Sequence, residues 1–247
     1  MRISFVIPAY NEEADIGPCL ESVQKEIIRE RADAEIIVVN NASTDRTTEI
    51  ALGFRSVRVV DAPQKGLVRA RQAGFCASSG ELVANIDADT IMPQGWLYTV
   101  LHEFERGKNL VALSGPFIYH DMPFPSRVLV RAFYAAGFLL YLLNRFVFRT
   151  GSMLQGGNFV VRREALQKIG GFDTSIEFYG EDTDVARRLS KIGNVKWTFK
   201  LPIYTSGRRL VDEGIMRIGF RYALNYFWTT IFRKPYTLAY KDIRPEK

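Results

Sequence analysis

The sequence predicts an α/β fold built on a mostly parallel central sheet covered on both faces. Two observations carry that reading. Over the first hundred residues, four short apolar runs alternate with amphipathic stretches of helical period. Short strands separated by helical patterns of roughly 10–15 residues are the mark of βαβ units. In addition, polar and mostly acidic residues recur just after these runs, at the sheet edge where open parallel sheets bind ligands.

The elements follow in order. The apolar run Ile3–Ile7 stops at Pro8 and reads as a buried first strand, with a helical stretch over Asp15–Glu30 behind it. Glu35–Val39, Val57–Val60 and Leu82–Ile86 read as the next strands, interleaved with helical stretches at Asp45–Gly53, Gly66–Ser78 and Gln94–Arg106. Regularity fades after Leu110. A strand near Val111–Ser114 leads into a Pro-broken loop, GPFIYHDMPFP, and then a long apolar helix over Ser126–Phe148 with Arg127, Arg131, Arg145 and Arg149 at its flanks. A Gly-rich turn at Gln155–Asn158, a strand at Phe159–Arg162, and helices at Arg163–Ile169 and Asp182–Ile192 come next. Strands near Val195–Phe199 and Ile203–Thr205 precede a last helix over Asp212–Phe232, with Asp212 as its expected cap.

Composition narrows the function classes. The chain has 247 residues, 24% charged and 13% aromatic, which excludes a disordered chain and allows one sizeable core. Cys19 and Cys76 form no CxxC, and the only histidines are His102 and His120, so any metal is held mainly by oxygen. Residues 1–186 carry 19 basic and 23 acidic side chains, whereas 187–247 carry 14 and 4. The basic quarter suits a phosphate-bearing ligand or an anionic membrane surface, or simply a solvated face. No secretory signal is expected from MRISFVIPAYNEE, which breaks at Pro8 and two glutamates. The longest charge-free apolar stretch, Ala132 to Asn144, is 13 residues, shorter than the roughly 18–20 that span a bilayer.

Three strand ends converge on one edge: Pro8 to Glu13, Asn40 to Asp45, and Asp87-Ala88-Asp89. Taken singly, each has a plain structural reading as a cap or turn. Together they favour a site, and the Asp87/Asp89 pair can present oxygens to Mg2+ or Mn2+ alongside phosphate oxygens.

PAYNEE, VVNNASTD, KGLVRARQAG (Lys65 to Gly74), DAD, GGNF (Gly156 to Phe159) and GED (Gly180 to Asp182) stand in the order and approximate spacing of family-2 glycosyltransferases of the GT-A fold, which the chain resembles over about residues 3–210. The resemblance implies a three-layer α/β/α domain. Residues 1–115 would bind a UDP- or GDP-linked sugar and 116–210 a glycan or lipid-linked acceptor, with 211–247 an amphipathic basic and aromatic tail. It implies that Pro8, Ala9, Tyr10 and Glu12 contact base and ribose, that Asn41 meets the base, and that Asp45 holds its loop. Lys65, Gly66 and Arg71 would close over the nucleotide, joined by Asp87 and Ala88. Asp87 and Asp89 would hold the metal, Asp182 would be the catalytic base, and Gly156, Gly157, Asn158 and Glu181 would form the acceptor side. One departure stands out: the family commonly shows DDGSTD, where this chain has Asn40-Asn41-Ala42-Ser43-Thr44-Asp45. The processive QxxRW element is missing as well.

Several expectations follow. Arg208 and Arg209 are candidates for the diphosphate. Asp182, at a helix start, is expected to have a lowered pKa and to act as a weak base. A lone base opposite the donor implies inversion. The arginine-flanked helix at 126–148 and the run FRYALNYFWTTIFRKP suit an anionic bilayer surface or are core helices with a basic edge. The expected location is cytoplasmic, peripheral on the inner membrane face, and no nucleic-acid partner is expected. Two rivals remain: a haloacid-dehalogenase-like phosphatase using Asp87 in the DxDxT run Ile86–Thr90, and an inactive nucleotide-sugar-binding module.

Overall fold

A computed structural model describes residues 1–148 and 153–238. Strand β1 (Ile3–Ala9) is buried along its whole length, as a central parallel strand covered on both faces must be. It pairs in parallel with β2 (Ala34–Asn40) on one side and β4 (Leu82–Ile86) on the other, and β3 (Val57–Asp61) adds outside β2. Pro8 lies beyond the stretch paired with β4, which ends where Val6 meets Asn85, so its missing N–H breaks no ladder there. Alternation along the strands splits the core in two. Phe5, Ile7, Ile36 and Val38 pack with α1 (Ile16–Glu30), α2 (Thr47–Leu52) and α4 (Trp96–Arg106). Val6, Ile37 and Val39 pack with α3 (Leu67–Ala77), α6 (Arg163–Lys168) and α7 (Glu181–Leu189).

Beyond β4 the parallel pattern reverses once. Strand β8 (Asn158–Arg162) is inserted antiparallel between β4 and β6 (Leu110–Ser114), and β9 (Asn194–Trp197) closes the edge, for a sheet order β3-β2-β1-β4-β8-β6-β9. Ile86 faces Asn158 and Leu82 faces Arg162. The start of β8 therefore lies beside the end of β4, and the Gly-rich turn meets Asp87. This is the three-layer α/β/α arrangement expected from the sequence.

A second small sheet, β5 (Thr90–Ile91), β10 (Ile203–Thr205) and β7 (Phe117–Tyr119), covers this edge. The sequence reading took residues 115–125 as a loop; Phe117–Tyr119 within it pairs in parallel with β10. Strands of two or three residues are too short to show a period. Helix α5 (Phe124–Leu143) has a proline in its first turn and continues into a π-helical turn at Asn144–Phe148. Phe124–Phe146 is long and apolar enough, by length and composition, to cross a membrane, and only 11% of its apolar window is buried. The charge-free stretch alone understated this helix. Arg149 and the tail from residue 239 lie outside the described residues.

The last helix is two helices. Gly214, at φ +86°, separates α8 (Arg208–Glu213) from α9 (Ile215–Phe232), and Asp212 lies inside α8, so the N-cap position of the long helix is Gly214 rather than Asp212. The expected boundary at residue 210 thus falls within a helix. Leu210 and Ile218 pack with Met122 and Val130 in a third, small core, which ties α8 and α9 to α5.

Candidate active site

Asp87 and Asp89 stand where β4 ends. Asp87 Oδ1 accepts from Arg71 Nη2 at 3.0 Å, and its other oxygen lies against Gly157, where any Cβ would overlap the carboxylate. Gly157 also has φ +80°, so glycine is required there twice over. Asp89 Oδ2 pairs with Arg208 Nη2 at 3.0 Å, and Thr205 Oγ1 approaches its Oδ1 at 3.4 Å. Ala88 between them is buried but lines the cavity. Asp87, the nucleophile that a phosphatase would need, is held by Arg71 against the glycine turn.

Arg71 of α3 is buried and makes a second ion pair with Glu181 at the start of α7. One guanidinium therefore joins α3, α7 and the end of β4. Glu181 Oε2 and Arg71 Nε have no hydrogen-bond partner among the described residues. Asp182 follows: its Oδ2 accepts from Gly156 N at 3.1 Å and its Oδ1 from Thr183 N at 2.7 Å. Burial raises the Asp182 carboxyl above the usual carboxylate range, outweighing the donors Gly156 and Thr183 and the charge of Arg71. This corrects the expected lowering. A helix N-terminus favours the anion, but loss of water around the carboxyl dominates. The cap of α7 is Gly180, and the neighbouring Asp184 is engaged by Arg187 and Arg188.

Three further expectations change. Asn158 is fully buried: its Nδ2 donates to Leu201 O at 2.9 Å and Gly115 O at 3.1 Å, and its Oδ1 accepts from Trp96 Nε1. It ties the sheet edge together and is closed to an acceptor. Glu12 is buried and bound through both oxygens by Arg208 Nη2, at 2.6 and 2.8 Å, so its carboxylate is not turned to a ribose. Asn41 donates from Nδ2 to Ala62 O and Gln64 O and accepts from Gly66 N on Oδ1. Its amide pins the 62–66 loop in a way no carboxylate could, because a carboxylate has no proton to give two carbonyls.

The other nucleotide-side residues lie at the end of β1, in the loops after β1 and β2, and around the start of α3. Lys65 Nζ lies 3.9 Å above the Tyr10 ring. Gly66 opens α3, Ala9 O accepts from Asn41 N, and Pro8 lines the cavity. Asp45 accepts from Thr47 N and Glu13 N, tying the loop after β2 to the loop after β1. Those hydrogen bonds hold its carboxyl below the usual range against a burial that would raise it.

Arg208 and Arg209 both line the cavity but face different ways. Arg209 stacks over Phe178 at 4.7 Å and pairs with Glu213. The basic excess of the C-terminal quarter is partly internal: Arg187, Arg188, Lys196, Arg208, Arg209 and Arg221 are all ion-paired within the chain. Arg217, Arg233 and Lys234 stay exposed.

These groups open into a cavity of about 440 Å3. Asp87, Asp89, Gly156 and Asp182 line it, together with Phe133 and Tyr134 of α5 and Tyr222 and Tyr226 of α9. The aromatic lining was missed as part of the site, because its spacing reads equally as a core or membrane face.

The resemblance implies a divalent cation, and the donor set fits one. Asp89 offers hard oxygen beside the cavity, with Asp87 next to it. No group of three or more Asp, Glu, His or Cys side chains suited to a metal stands among the described residues. Mg2+ or Mn2+ would be completed by phosphate oxygens and water, as these ions accept.

Residues 4–170 match Glycosyl transferase family 2, and residues 147–205 match the N-terminal domain of galactosyltransferase. The glycosyltransferase AglE of Haloferax volcanii is 33% identical over 118 residues, 46% of this chain and 36% of AglE. The probable glycosyltransferase YdaM of Bacillus subtilis is 26% identical over 204 residues, 78% of this chain and 47% of YdaM. The chain spans less than half the length of either relative. Among solved structures, the mannosyltransferase PcManGT from Pyrobaculum calidifontis, in complex with GDP-Man and Mn2+, has a TM-score of 0.71 at 18% identity, over 93% of this chain and 64% of that one. Glucosyl-3-phosphoglycerate synthase from Mycobacterium tuberculosis, in complex with Mn2+ and UDP-glucose, has a TM-score of 0.61 at 23% identity, over 92% of this chain and 78% of that one. The fold is that of the GT-A glycosyltransferases, and with more than half its length matched the chain belongs to glycosyl transferase family 2.

Proposed function

We propose that the chain moves a sugar from a nucleoside diphosphate sugar to an acceptor hydroxyl, with inversion and without processive polymerisation. The observation that supports this reading is that Asp87, Asp89 and Asp182 all line one cavity. The donor occupies the nucleotide side, formed by Pro8, Ala9, Tyr10 and the loop that Asn41 pins. Asp89, with Asp87, would hold Mg2+ or Mn2+, which when bound supplies positive charge to the departing diphosphate. Arg208 adds charge beside Asp89. The acceptor hydroxyl enters from the side of α5 and α9 and gives its proton to Asp182. Burial makes that carboxylate a stronger base than an exposed aspartate. Gly156 N, donating to Asp182 Oδ2, fixes its orientation. A base on the acceptor side pairs with attack from the face opposite the leaving group, hence inversion. UDP- and GDP-linked sugars are both candidates, in keeping with the donors bound in the two solved structures above.

The acceptor in this reading is lipid-linked or held near a membrane, and the enzyme works from the cytoplasmic face. Phe124 and Leu139 of α5, Phe146 of the π-helical turn after it, and Met216, Phe220 and Ile231 of α9 are exposed apolar side chains, with Arg127, Arg131, Arg217, Arg233 and Lys234 exposed among or beside them. Apolar faces rimmed by cations suit an anionic interface.

A panel of UDP- and GDP-sugars with Mn2+, scored by nucleoside diphosphate release and by NMR of the product anomer, tests the reaction. Release that depends on Asp182, with an inverted product, is the expected result; a retained anomer removes the mechanism. Co-sedimentation with anionic vesicles that weakens in salt supports the membrane reading, and indifference to vesicles discards it.

A further inference from the structure

Arg208 stands where negative charge is most concentrated. Its Nη2 contacts both oxygens of Glu12 and reaches Asp89 Oδ2 at 3.0 Å, while Nη1 reaches Asp15 Oδ2 at 3.3 Å. One guanidinium thus serves three carboxylates, from the loop after β1, the start of α1 and the loop after β4. Ser206 and Gly207 just before it are fixed to Asp121 by bonds of 2.7 Å, which aims α8 at this cluster.

Asp89 is also the carboxylate best placed for a divalent cation. An ion bound roughly 2.0–2.2 Å from an Asp89 oxygen would press its charge against a guanidinium nitrogen already 3.0 Å from Oδ2. Two positive charges at that separation, in a partly buried cluster, repel strongly. Arg208 Nη2 meets both oxygens of buried Glu12 at 2.6 and 2.8 Å and Asp89 Oδ2 at 3.0 Å. For a cation to take that Asp89 oxygen, the guanidinium has to turn away from it.

We propose that Arg208 is a built-in counter-ion that competes with the divalent cation for Asp89, so that the cation enters together with a nucleoside diphosphate whose phosphates take up the displaced guanidinium. This rests on the donor reading above and adds an order to it. The acidic cluster is neutralised in turn by Arg208, then by the cation, and Arg208 passes from carboxylate to phosphate. By linkage, cation and nucleotide raise each other's affinity by the same factor.

Electron paramagnetic resonance counts free Mn2+ in titrations of the full chain, alone and with UDP or GDP, after correction for Mn2+–nucleotide complexes in buffer. The wild-type chain is expected to bind Mn2+ weakly alone and about tenfold or more tighter with the matching nucleotide. Arg208→Gln is expected to tighten Mn2+ binding without nucleotide by a similar factor and to shrink the effect of the nucleotide. Arg208→Lys, which keeps the charge but loses the fork, should fall between them and replaces the glutamine variant if that one does not fold. A folded Arg208 variant with wild-type Mn2+ affinity in the absence of nucleotide overturns the competition and leaves the donor reading standing. No Mn2+ uptake in any sample, nucleotide included, overturns both.

Discussion

Arg71→Met is the sharpest test of how the site is held together. Arg71 is 1% exposed and its partner Glu181 is 4% exposed, while Asp87 is 31% exposed. Removing the guanidinium leaves Glu181 as a buried carboxylate without compensation, since its Oε2 has no other partner among the described residues. Breaking such a pair from one side costs about 3–5 kcal/mol. At roughly 2–4 °C per kcal/mol for a domain of this size, the melting temperature falls by about 6–20 °C. Asp87 regains water and adds little. The double variant Arg71→Met/Glu181→Met removes both charges and should recover most of the loss, because a buried pair replaced by apolar side chains is often neutral. Guanidinium and thermal melts, followed by tryptophan fluorescence, measure both the single-variant cost and its recovery in the double variant. A single-variant cost under about 1 kcal/mol, or a double variant as unstable as the sum of the two singles, refutes the reasoning.

Other perturbations reach the remaining parts of the site. Asp182→Asn should lower kcat by roughly 100- to 10,000-fold with the donor KM nearly unchanged. Because burial raises the Asp182 carboxyl, wild-type kcat/KM should fall, on acidification, from a pH above the ordinary aspartate range; a profile flat down to that range contradicts the assignment. Asn41→Asp sets a carboxylate against the carbonyls of Ala62 and Gln64. It should cost about 2 kcal/mol or more and speed hydrogen exchange across residues 62–66; unchanged exchange there removes the pinning role. Asn85, fully buried in β4 with both side-chain polar atoms unpartnered, should accept valine with a gain of about 1 kcal/mol in a denaturation curve.

The parallel half of the fold was legible because β1, β2 and β4 are apolar on both faces, so continuous runs rather than alternation marked them. Motif order singled out Asp87, Asp89 and Asp182, and all three line one cavity. What the chain hid was long-range. Nothing near Asn158 announces that its amide is taken up by Gly115 and Leu201, so a polar residue in a glycine turn read as an acceptor contact. Nothing links Asp15 to Arg208 across 193 positions. The Asp182 pKa was misjudged for the same reason: the helix start is local and visible, whereas burial comes from elements distant in sequence. Gly214 was overlooked as a break because the apolar period runs through it into α9.

The one reversed strand in the sheet has a consequence for how such a chain can diversify. Because β8 runs against its neighbours, its start lies beside the ends of both β4 and β6, so the whole connection from β6 to β8, α5 included, leaves and returns at the same edge of the sheet. Gly156 and Gly157, which enter β8, are tied to Asp182 and Asp87 and leave no room for change, whereas α5 is joined to the rest through the small core around Val130. In the proposed reading, a new acceptor is then reached by rewriting α5 while the glycine turn is kept.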